Sequence, residues 1–403
     1  MRDNLVVKSL FSIPSDLLYF NSANLSFCPN SVNEAIETHR RRFEMNPSLG
    51  LKIVGTELWE TQSLLAQFFN AQPTDIFLRP NVTEALNAFI LGYPIEPRDE
   101  ILVGELEYGS VFNICRFKAE QEKLSLRVLK MPQNSVAVKN LSQQYLIKHI
   151  ESQLSPRTRL LVLSHVVAGL GLQIPILNLS KITKSLGITL AIDGAYAPGA
   201  LPIDFSQFQS IDFYGCSLYK WMLGPKGTGF GWVNPANHSK LKPLMAGWNT
   251  FESSGPISQF GKGSRFQEKF QLVGCRDFSP FLAIKELLAF WNQQGPEQIQ
   301  RRILELNQYF QDQLNRILSI PAVISPDPDL NAPMTIFRVP QRFQKIGAKL
   351  AQKLLELIKI QLHFYELGSG WYGIFSAHIY NNEKEIDEAL DRVRFLMNKA
   401  AVH

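Results

Sequence analysis

Asp193 and Lys220 are the two residues whose types and spacing best suit catalysis. Asp193 ends the apolar run ITLAID, and Lys220 follows the apolar run SIDFYGCS within the segment SLYK. A lysine amine can form a Schiff base with an aldehyde, and a buried carboxylate can keep the nitrogen of a pyridine ring protonated. The pair therefore predicts chemistry based on pyridoxal phosphate, in which the pyridinium stabilises the charge of Asp193.

Each of the two residues also has a purely structural explanation. Asp193 could cap a loop, and Lys220 could be a surface lysine beside Trp221. Neither explanation accounts for both residues together with the sequence that flanks them. We therefore expect Lys220 and Asp193 to be catalytic.

Buried strands must position this pair. Both apolar runs contain aliphatic and β-branched residues without alternation, which is typical of strands covered on both faces. Further runs occur in TDIFLRP, DEILVGE, LSLRVLK and TRLLVLS, with helical stretches between them, and GPKGTGFGWV predicts a glycine-rich turn that returns as a strand. This alternation predicts an α/β protein with a mostly parallel sheet and right-handed crossovers. Functional groups are expected at the carboxyl ends of its strands.

Two turns that follow predicted strands carry further candidates. After TDIFLRP, the residues Val82 and Thr83 lie in the first turn of a predicted helix, and Tyr108 lies at the turn after DEILVGE. Free backbone N–H groups at a helix N-terminus form a phosphate site, although a helix start without a ligand explains the same pattern. An aromatic residue at the end of a strand is often only a packing residue.

The segments DGAYAPG and SLYKWMLGPKGTGF resemble the class V aminotransferase family, which includes isopenicillin N epimerase-like enzymes, cysteine desulfurases and related carbon–sulfur lyases. The family pattern reads D-x-A-[HQ] and then S-x-H-K, so this chain departs from it at Tyr196 and Tyr219. Both departures introduce a phenol, which can still donate a hydrogen bond. The resemblance implies the fold of fold-type I pyridoxal phosphate enzymes. A large domain with a seven-stranded type of sheet would span residues 20–265, and a smaller α+β domain would comprise residues 1–19 and 266–403.

The resemblance also assigns roles to individual residues. Lys220 would hold the cofactor as a Schiff base, Tyr108 would stack on the pyridine ring, and Thr83 would cradle the phosphate. Asn24 and Arg276 are candidate substrate contacts, although Asn24 could also be a simple turn residue. The full set of expected cofactor contacts is Val82, Thr83, Tyr108, Asp193, Tyr196, Ser217, Tyr219, Lys220 and Cys275.

Three departures from the family affect ligand contacts. Cys275 stands where the family has a threonine beside the phosphate of the neighbouring subunit's cofactor, and this match implies a homodimer with shared active sites. Ala168 replaces a polar residue that reaches the ring hydroxyl, which leaves that hydroxyl to Tyr196 or to water. Ile374 replaces the arginine that clamps the substrate carboxylate. Either a relocated cation such as Arg276, Lys226 or Arg265 holds this group, or the substrate differs; we favour a different substrate.

Composition excludes several other classes of protein. The chain has 403 residues, 45% apolar and 19% charged, and its net charge of +5 gives no basic patch beyond HRRR at residues 39–42. Its four cysteines include no CxxC pair, which predicts free thiols in a reducing compartment instead of disulfides or a zinc site. No stretch predicts a signal peptide or a membrane span. We expect a cytoplasmic protein with no nucleic acid or membrane partner.

The type of reaction stays open among transamination, epimerisation, β-elimination and side-chain modification of a larger amino-acid-containing metabolite. A desulfurase that uses a persulfide cysteine is disfavoured, because no cysteine lies in the segment before SAHIYN. The alternative from another class is a non-catalytic binder of pyridoxal phosphate that acts as a sensor or partner protein. A nucleotide-binding dehydrogenase is disfavoured because no GxGxxG motif follows a predicted strand.

Overall fold

The structure is a computed structural model and describes residues 7–132, 138, 140–247, 250, 264–271 and 274–399. Its strands, in chain order, are β1 (Leu18–Tyr19), β2 (Ile76–Arg79), β3 (Glu100–Gly104), β4 (Ser125–Leu129), β5 (Thr158–Ser164), β6 (Val166–Val167), β7 (Leu172–Gln173), β8 (Thr189–Asp193), β9 (Phe213–Ser217), β10 (Gly229–Val233), β11 (Ala322–Val323), β12 (Thr335–Arg338), β13 (Ile360–Gln361), β14 (His363–Leu367) and β15 (Gly370–Phe375).

Helices connect and cover these strands. In chain order they are α1 (Asn30–Met45), α2 (Pro47–Phe68), α3 (Val82–Gly92), α4 (Gly109–Glu122), α5 (Gln143–Glu151), α6 (Ile176–Ser185), α7 (Arg265–Gln271), α8 (Ser279–Leu282), α9 (Ile284–Gln294), α10 (Pro296–Leu318), α11 (Leu350–Ile358) and α12 (Glu383–Lys399). A 3₁₀ segment, Gln341–Lys349, precedes α11. Within the described residues, no helix combines the length and the apolar character needed to cross a bilayer.

The main sheet has seven strands in the order β2-β10-β9-β8-β5-β3-β4. Neighbouring strands are parallel except at β10, which is antiparallel to both β2 and β9. Every residue of β2, β3, β8, β9 and β10 is buried, as expected of strands covered by helices on both faces. The expected α/β fold with a mostly parallel seven-stranded sheet is confirmed.

The apolar residues at helical spacing from residue 31 to about residue 69 predict a helical region, and the structure divides this region into two helices. The chain breaks at Asn46, whose side chain accepts a hydrogen bond from the Leu49 N–H, and Pro47 begins α2. Asparagine at the N-cap followed by proline at the first helical position is a common start of a helix. The Asn-Pro signal was therefore present in the sequence.

A smaller antiparallel sheet, ordered β11-β12-β15-β14, lies in the C-terminal part of the chain. Near the other end of the chain, β1 pairs in parallel with β13. The apolar run WYGIFSAHIYN predicts one strand over its whole length, and this prediction is wrong in its second half, because β15 ends at Phe375. There the Ser376 N–H bonds the carbonyl of Phe20, so the backbone leaves the sheet to meet the N-terminal segment. The domain boundaries at residues 19 and 265 stay a prediction.

Candidate active site

The ends of two neighbouring parallel strands, β8 and β9, bring Asp193 and Lys220 to one edge of the main sheet. Asp193 is buried at the last position of β8, and its Oδ1 accepts a hydrogen bond of 2.8 Å from the Ala195 N–H. Lys220 lies three residues beyond β9, and its Nζ lies 3.9 Å from the centroid of the Tyr196 ring. The predicted pair is therefore brought together at this strand edge, with Asp193 buried and Lys220 partly buried.

Burial and charge act against each other at this pair. Burial lowers the pKa of Lys220 to about 8, although the charge of Asp193 opposes the shift. Burial raises the pKa of Asp193 from its usual value, and the charge of Lys220 and the Ala195 N–H counteract that rise. Because desolvation penalises the charged form of each group, Lys220 supplies a neutral amine at a lower pH than an exposed lysine does.

Phenols surround the lysine. Tyr196 donates a hydrogen bond of 2.6 Å to Asn24 Oδ1, so the N-terminal segment reaches the same site. Asn24 is itself held by Asn21, whose Oδ1 accepts from Asn24 Nδ2 at 2.7 Å. Burial raises the pKa of Tyr196, and the nearby groups Asp193, Tyr108 and Tyr219 raise it further. Tyr196 therefore keeps its proton and acts as a hydrogen-bond donor.

The N-terminus of α3 faces this strand edge. Asn81 caps the helix by accepting the Glu84 N–H at 2.9 Å, and the Val82 N–H bonds Ser217 Oγ at 3.2 Å. The approach of α3 to β9 requires a glycine at position 215, since a Cβ there would lie 2.8 Å from Val82 Cγ2. The absence of a side chain at Gly215 therefore lets the helix terminus lie against the strand.

Neutral donors line this terminus. Thr83 Oγ1 lies 3.2 Å from Ser110 Oγ at the start of α4, and Ser217 Oγ donates to the Tyr219 hydroxyl at 3.3 Å. Hydroxyl groups and free N–H groups at a helix N-terminus suit a phosphate, because they donate hydrogen bonds and the helix dipole favours negative charge.

The residues present fit pyridoxal phosphate. Thr83, Ser217 and Tyr219 supply donors for its phosphate, the Lys220 amine can join its aldehyde, and the buried Asp193 carboxylate can accept from its ring nitrogen. All of these groups lie at the carboxyl edge of one sheet, where α/β proteins bind ligands.

Comparisons with known proteins identify the family. The model for aminotransferase class-V matches residues 18–363. The chain belongs to the class V aminotransferase family. Members of this family are pyridoxal phosphate-dependent enzymes, so the expected family, cofactor and enzymatic nature of this protein are confirmed.

Three individual proteins illustrate the similarity. Isopenicillin N epimerase of Streptomyces clavuligerus is 31% identical over 373 residues, which cover 90% of each chain. A "Probable cysteine desulfurase" of Xylella fastidiosa (strain 9a5c) is 26% identical over 312 residues, 75% of this chain and 71% of that protein. The solved structure of a C-DES mutant with glycine covalently linked to its PLP cofactor has a TM-score of 0.83 at 22% identity, and the match covers 96% of this chain and 98% of that chain. The structural match shows the shared fold.

Two groups of this class V enzyme were missed by the sequence analysis. Glu107 is partly buried next to Ser164, and it accepts hydrogen bonds from the N–H and the hydroxyl of that residue. Burial raises the pKa of Glu107 to about 8, and the charge of Asp193 contributes to the rise. Beside it, the His165 N–H bonds the Asp193 carbonyl at 2.8 Å, and His165 Nδ1 lies 2.7 Å from the Tyr214 hydroxyl.

These missed residues position the strand ends. Burial lowers the pKa of His165 to about 3, so its ring stays neutral and holds the Tyr214 hydroxyl without adding charge beside Asp193. A signal was present for His165, because an imidazole directly follows an apolar strand, whereas Glu107 lies three residues beyond β3. The sequence alone did not show that other strands would enclose them.

Two other predicted contacts, Cys275 and Arg276, lie in the segment before α8. Arg276 stacks on Phe281 at 4.7 Å, and burial followed by the charge of Arg79 lowers its pKa to about 10, while Glu84 opposes the shift. Cys275 is an exposed free thiol. Their roles at a cofactor or substrate stay predictions, and the side chain of Arg265 lies outside the described part of the structure.

Tyr108 is placed where it can cover a ligand. It precedes the first residue of α4, and 66% of the residue is exposed although it lies close enough to Tyr196 to affect its pKa. An exposed ring beside the partly buried Tyr196 can cover a flat ligand. The stacking role of Tyr108 stays a prediction.

Ile374 lies on a face of the smaller sheet that packs against the main unit. It is buried in β15, directly opposite Ile336 of β12 and His363 of β14. On the same face, Tyr365 donates a hydrogen bond to the carbonyl of Gly169, in the loop between β6 and β7. Ala168 belongs to the same loop. The face of the smaller sheet that carries Ile374 therefore contacts a loop that follows β5, the strand that pairs with β8 next to Asp193.

Proposed function

We propose that this class V enzyme removes the α-proton of an amino-acid-like substrate, with Lys220 as the base, and that epimerisation at the α-carbon is the outcome. The observation that carries the proposal is the partly buried Lys220 amine, which lies over the Tyr196 ring and whose pKa burial lowers to about 8. An amine with this pKa can both accept and return a proton near neutral pH.

Pyridoxal phosphate supplies, when bound, an aldehyde for covalent attachment of amines and a ring that withdraws electrons from the α-carbon. The chain would hold the phosphate with Thr83, Ser217 and Tyr219 and the ring nitrogen with Asp193. Asp193 contributes a negative charge that its buried position makes effective, because little solvent screens it.

Lys220 is also the proton acceptor in the proposal. Lys220 would supply the amine that joins the aldehyde of the cofactor, and its Nζ would also be the group that takes and returns the α-proton of the substrate. The centroid of the Tyr196 ring lies 3.9 Å from Lys220 Nζ. Tyr196 keeps its own proton because burial raises its pKa. Its ring orients the amine while its hydroxyl holds the N-terminal segment through Asn24.

Epimerisation is favoured among the open reactions by two observations. The isopenicillin N epimerase of Streptomyces clavuligerus is 31% identical along 90% of the chain. Three of the four cysteines, Cys28, Cys115 and Cys216, are buried, which disfavours a persulfide nucleophile that must meet a substrate.

The proposed substrate is larger than a free amino acid. Ile374 cannot bind a carboxylate, and an unpaired carboxylate buried against it would cost several kcal/mol, on the order of the penalty for a buried charge. A substrate whose carboxylate is masked or lies elsewhere avoids this cost. An amino-acid-containing metabolite meets this condition.

We also propose a homodimer. The support is the family match around Cys275, together with Arg79 Nε, which is buried without a hydrogen-bond partner among the described residues. A second copy could supply that partner.

Exchange of the α-hydrogen tests the reaction. The purified enzyme, loaded with pyridoxal phosphate, is incubated in D₂O with amino acids and amino-acid conjugates, and proton NMR and chiral chromatography follow each compound. Loss of the α-proton signal with inversion at the α-carbon supports epimerisation. Exchange with release of a thiol or a keto acid would indicate elimination or transamination, and no exchange with any conjugate would refute the proposal.

Lys220 itself is tested by borohydride reduction of the loaded protein and peptide mapping. The label is expected on Lys220, and Lys226 serves as the control, since it lies six residues further along the same segment and bonds the Ser26 carbonyl. A label on Lys226 would contradict the assignment.

A further inference from the structure

A cavity of about 250 Å³ lies in the C-terminal part of the molecule, outside the candidate active site. It is bounded by the smaller sheet, by α10 and α12, and by the segment 341–358, which comprises the 3₁₀ turn and α11. Phe337, Phe364 and Phe375 form its floor. Strand register places these rings on the side of Gly373, opposite the face that carries Ile374.

The lining of this cavity is apolar except for one lysine, Lys353. Water cannot fill such a space well, because it needs several polar partners. An empty apolar space of this volume costs a sizeable part of the stability of a domain. The cavity is therefore suited to an apolar group of a ligand.

A shallower groove of about 550 Å³ continues from the cavity. The two share lining residues, among them Leu318, Val339 and Met397. The groove carries Arg338 and Arg342, whose side chains are exposed, and neither lining includes an aspartate or a glutamate. An apolar space thus opens into a cationic one.

The segment 341–358 separates its apolar and basic residues in the same way. Its apolar side chains Phe343, Leu350 and Leu354 line the cavity, whereas Lys345 and Lys349 are exposed. Apolar residues at helical spacing on one face and basic residues on the other are typical of segments that contact anionic amphiphiles. Within the described part of the chain, no ion pair involves these two lysines.

We propose that this cavity and groove bind a single-chain amphiphile with an anionic head, such as a fatty acid. The hydrocarbon chain lies in the cavity among the phenylalanine rings, and the anionic head lies in the groove beside Arg342, with Arg338 at the edge of the groove where β12 ends. Charge complementarity selects the head, because the only charged residues in the lining of the groove are arginines. The site is independent of the reaction proposed for Lys220.

The position of the cavity links it to the N-terminal segment. Phe20 lines the cavity, and its ring stacks on Phe375 at 4.9 Å. Four residues further on, Asn24 accepts the hydrogen bond of Tyr196. A bound chain therefore contacts the segment that reaches the candidate active site.

Isothermal titration of the full-length, cofactor-loaded protein with dodecanoate tests the proposal, at concentrations below micelle formation. We expect saturable binding at one site per chain. Dodecyltrimethylammonium has the same chain and a cationic head. Its affinity should be lower than that of dodecanoate by about tenfold or more, because the arginines of the groove repel it. Hexanoate should bind more weakly than dodecanoate, because it buries less apolar surface.

Two variants locate the site. The double variant Arg338→Ala/Arg342→Ala should weaken dodecanoate binding about fivefold to tenfold, as expected from the loss of two exposed charge contacts. The matched control Arg41→Ala/Arg157→Ala removes two exposed arginines elsewhere and should bind as the parent does. Ala389→Phe, which places a ring in the cavity, should abolish binding; if it does not fold, the arginine variant decides.

Three outcomes would overturn the proposal. They are no saturation by dodecanoate below its micelle-forming concentration, equal affinity for the anionic and cationic amphiphiles, and unchanged affinity in the Arg338→Ala/Arg342→Ala variant. Vesicles containing phosphatidylglycerol form a separate arm. Binding to these vesicles without binding of monomeric dodecanoate would indicate a membrane-surface contact and would refute a site for a single chain.

Discussion

At the scale of single residues, the Lys220 amine determines the chemistry that this site can perform. Burial lowers its pKa to about 8, and Asp193 limits the shift. At neutral pH such an amine is neutral roughly a hundredfold more often than an ordinary lysine with a pKa near 10.4. The side chain is therefore prepared to attack an aldehyde before any ligand binds.

The first prediction concerns this titration. Competitive acetylation of the cofactor-free protein, followed by mass spectrometry, should give Lys220 a midpoint near pH 8, whereas a lysine peptide in the same solution titrates about 2 units higher. In Asp193→Asn the midpoint should fall further, because the charge that favours the ammonium is gone. A midpoint that rises in this variant would contradict the electrostatic account.

Glu107 is the second residue whose protonation matters, and it leads to a prediction on stability. Its pKa is raised to about 8 in the folded protein, so the native state binds one more proton than the unfolded state between about pH 4.5 and pH 8. Stability should therefore fall as the pH rises through this window, by roughly 1.4 kcal/mol per unit from this group. Glu107→Gln keeps both contacts to Ser164 and removes the titration.

Urea unfolding at several pH values measures this effect. Glu107→Gln should become progressively more stable than the parent from pH 5 to pH 8, while Glu96→Gln, at an exposed position, should follow the parent. Parallel stability curves for Glu107→Gln and the parent would show that Glu107 is already ionised in the folded protein.

The sequence identified a functional residue when the neighbouring residues in the chain were enough to predict its position. Asp193 and Lys220 follow long apolar runs, so their placement at strand ends could be predicted from neighbours in the chain. Glu107 could not be recognised in this way, because Ser164, its partner, belongs to a different strand and lies 57 residues away in sequence. Enclosure by distant strands is a property of the tertiary fold.

At the scale of elements, the agreement between prediction and structure follows from periodicity. Continuous apolar runs became β2, β3, β5, β8 and β9, because a parallel sheet covered on both faces needs no polar alternation. The strand predicted through WYGIFSAHIYN is too long because a long-range contact, and not the local pattern, decides where it ends. Its apolar pattern continues beyond Phe375, but Ser376 bonds the backbone of Phe20, and this long-range contact ends the strand.

The N-terminus of α3 is the element that a prediction can test. Ser217→Ala removes the hydroxyl that joins β9 to the Val82 N–H, and Thr83→Val removes the hydroxyl of the first helical turn. Each should weaken pyridoxal phosphate binding about tenfold, as expected for one hydrogen bond to a charged group. Equilibrium titration by absorbance measures the affinity of the cofactor-free protein.

Thr38→Ala, on α1, is the control for these variants, because its hydroxyl bonds only the local Glu34 carbonyl among the described contacts. Its affinity should match that of the parent. Unchanged affinity in both Ser217→Ala and Thr83→Val would place the phosphate elsewhere.

At the scale of the whole molecule, the two sheets meet across the loop between β6 and β7. Tyr365 bonds the Gly169 carbonyl, and a Cβ added at Gly171 would lie 3.1 Å from Ile336 Cγ1, so the smaller sheet packs closely on this loop. Sequence could not predict this contact, because it depends on the register of β12, β14 and β15. The packing places Ile374 on the face that meets the main unit.

The last prediction concerns Ile374 and the substrate that this contact admits. Ile374 is 2% exposed and lies between Ile336 and His363, and burial lowers the pKa of His363, so neither of the two residues directly opposite Ile374 offers a stable cation to a carboxylate. Free alanine, cysteine and glutamate should therefore change the absorbance of the loaded enzyme only in the millimolar range. Ile374→Arg should bind them more tightly, because a guanidinium can form two parallel hydrogen bonds with a carboxylate. Ile374→Leu, which preserves the apolar face, should behave as the parent. Micromolar binding of a free amino acid by the parent, lost in Arg276→Ala, would instead show that Arg276 has replaced the clamp.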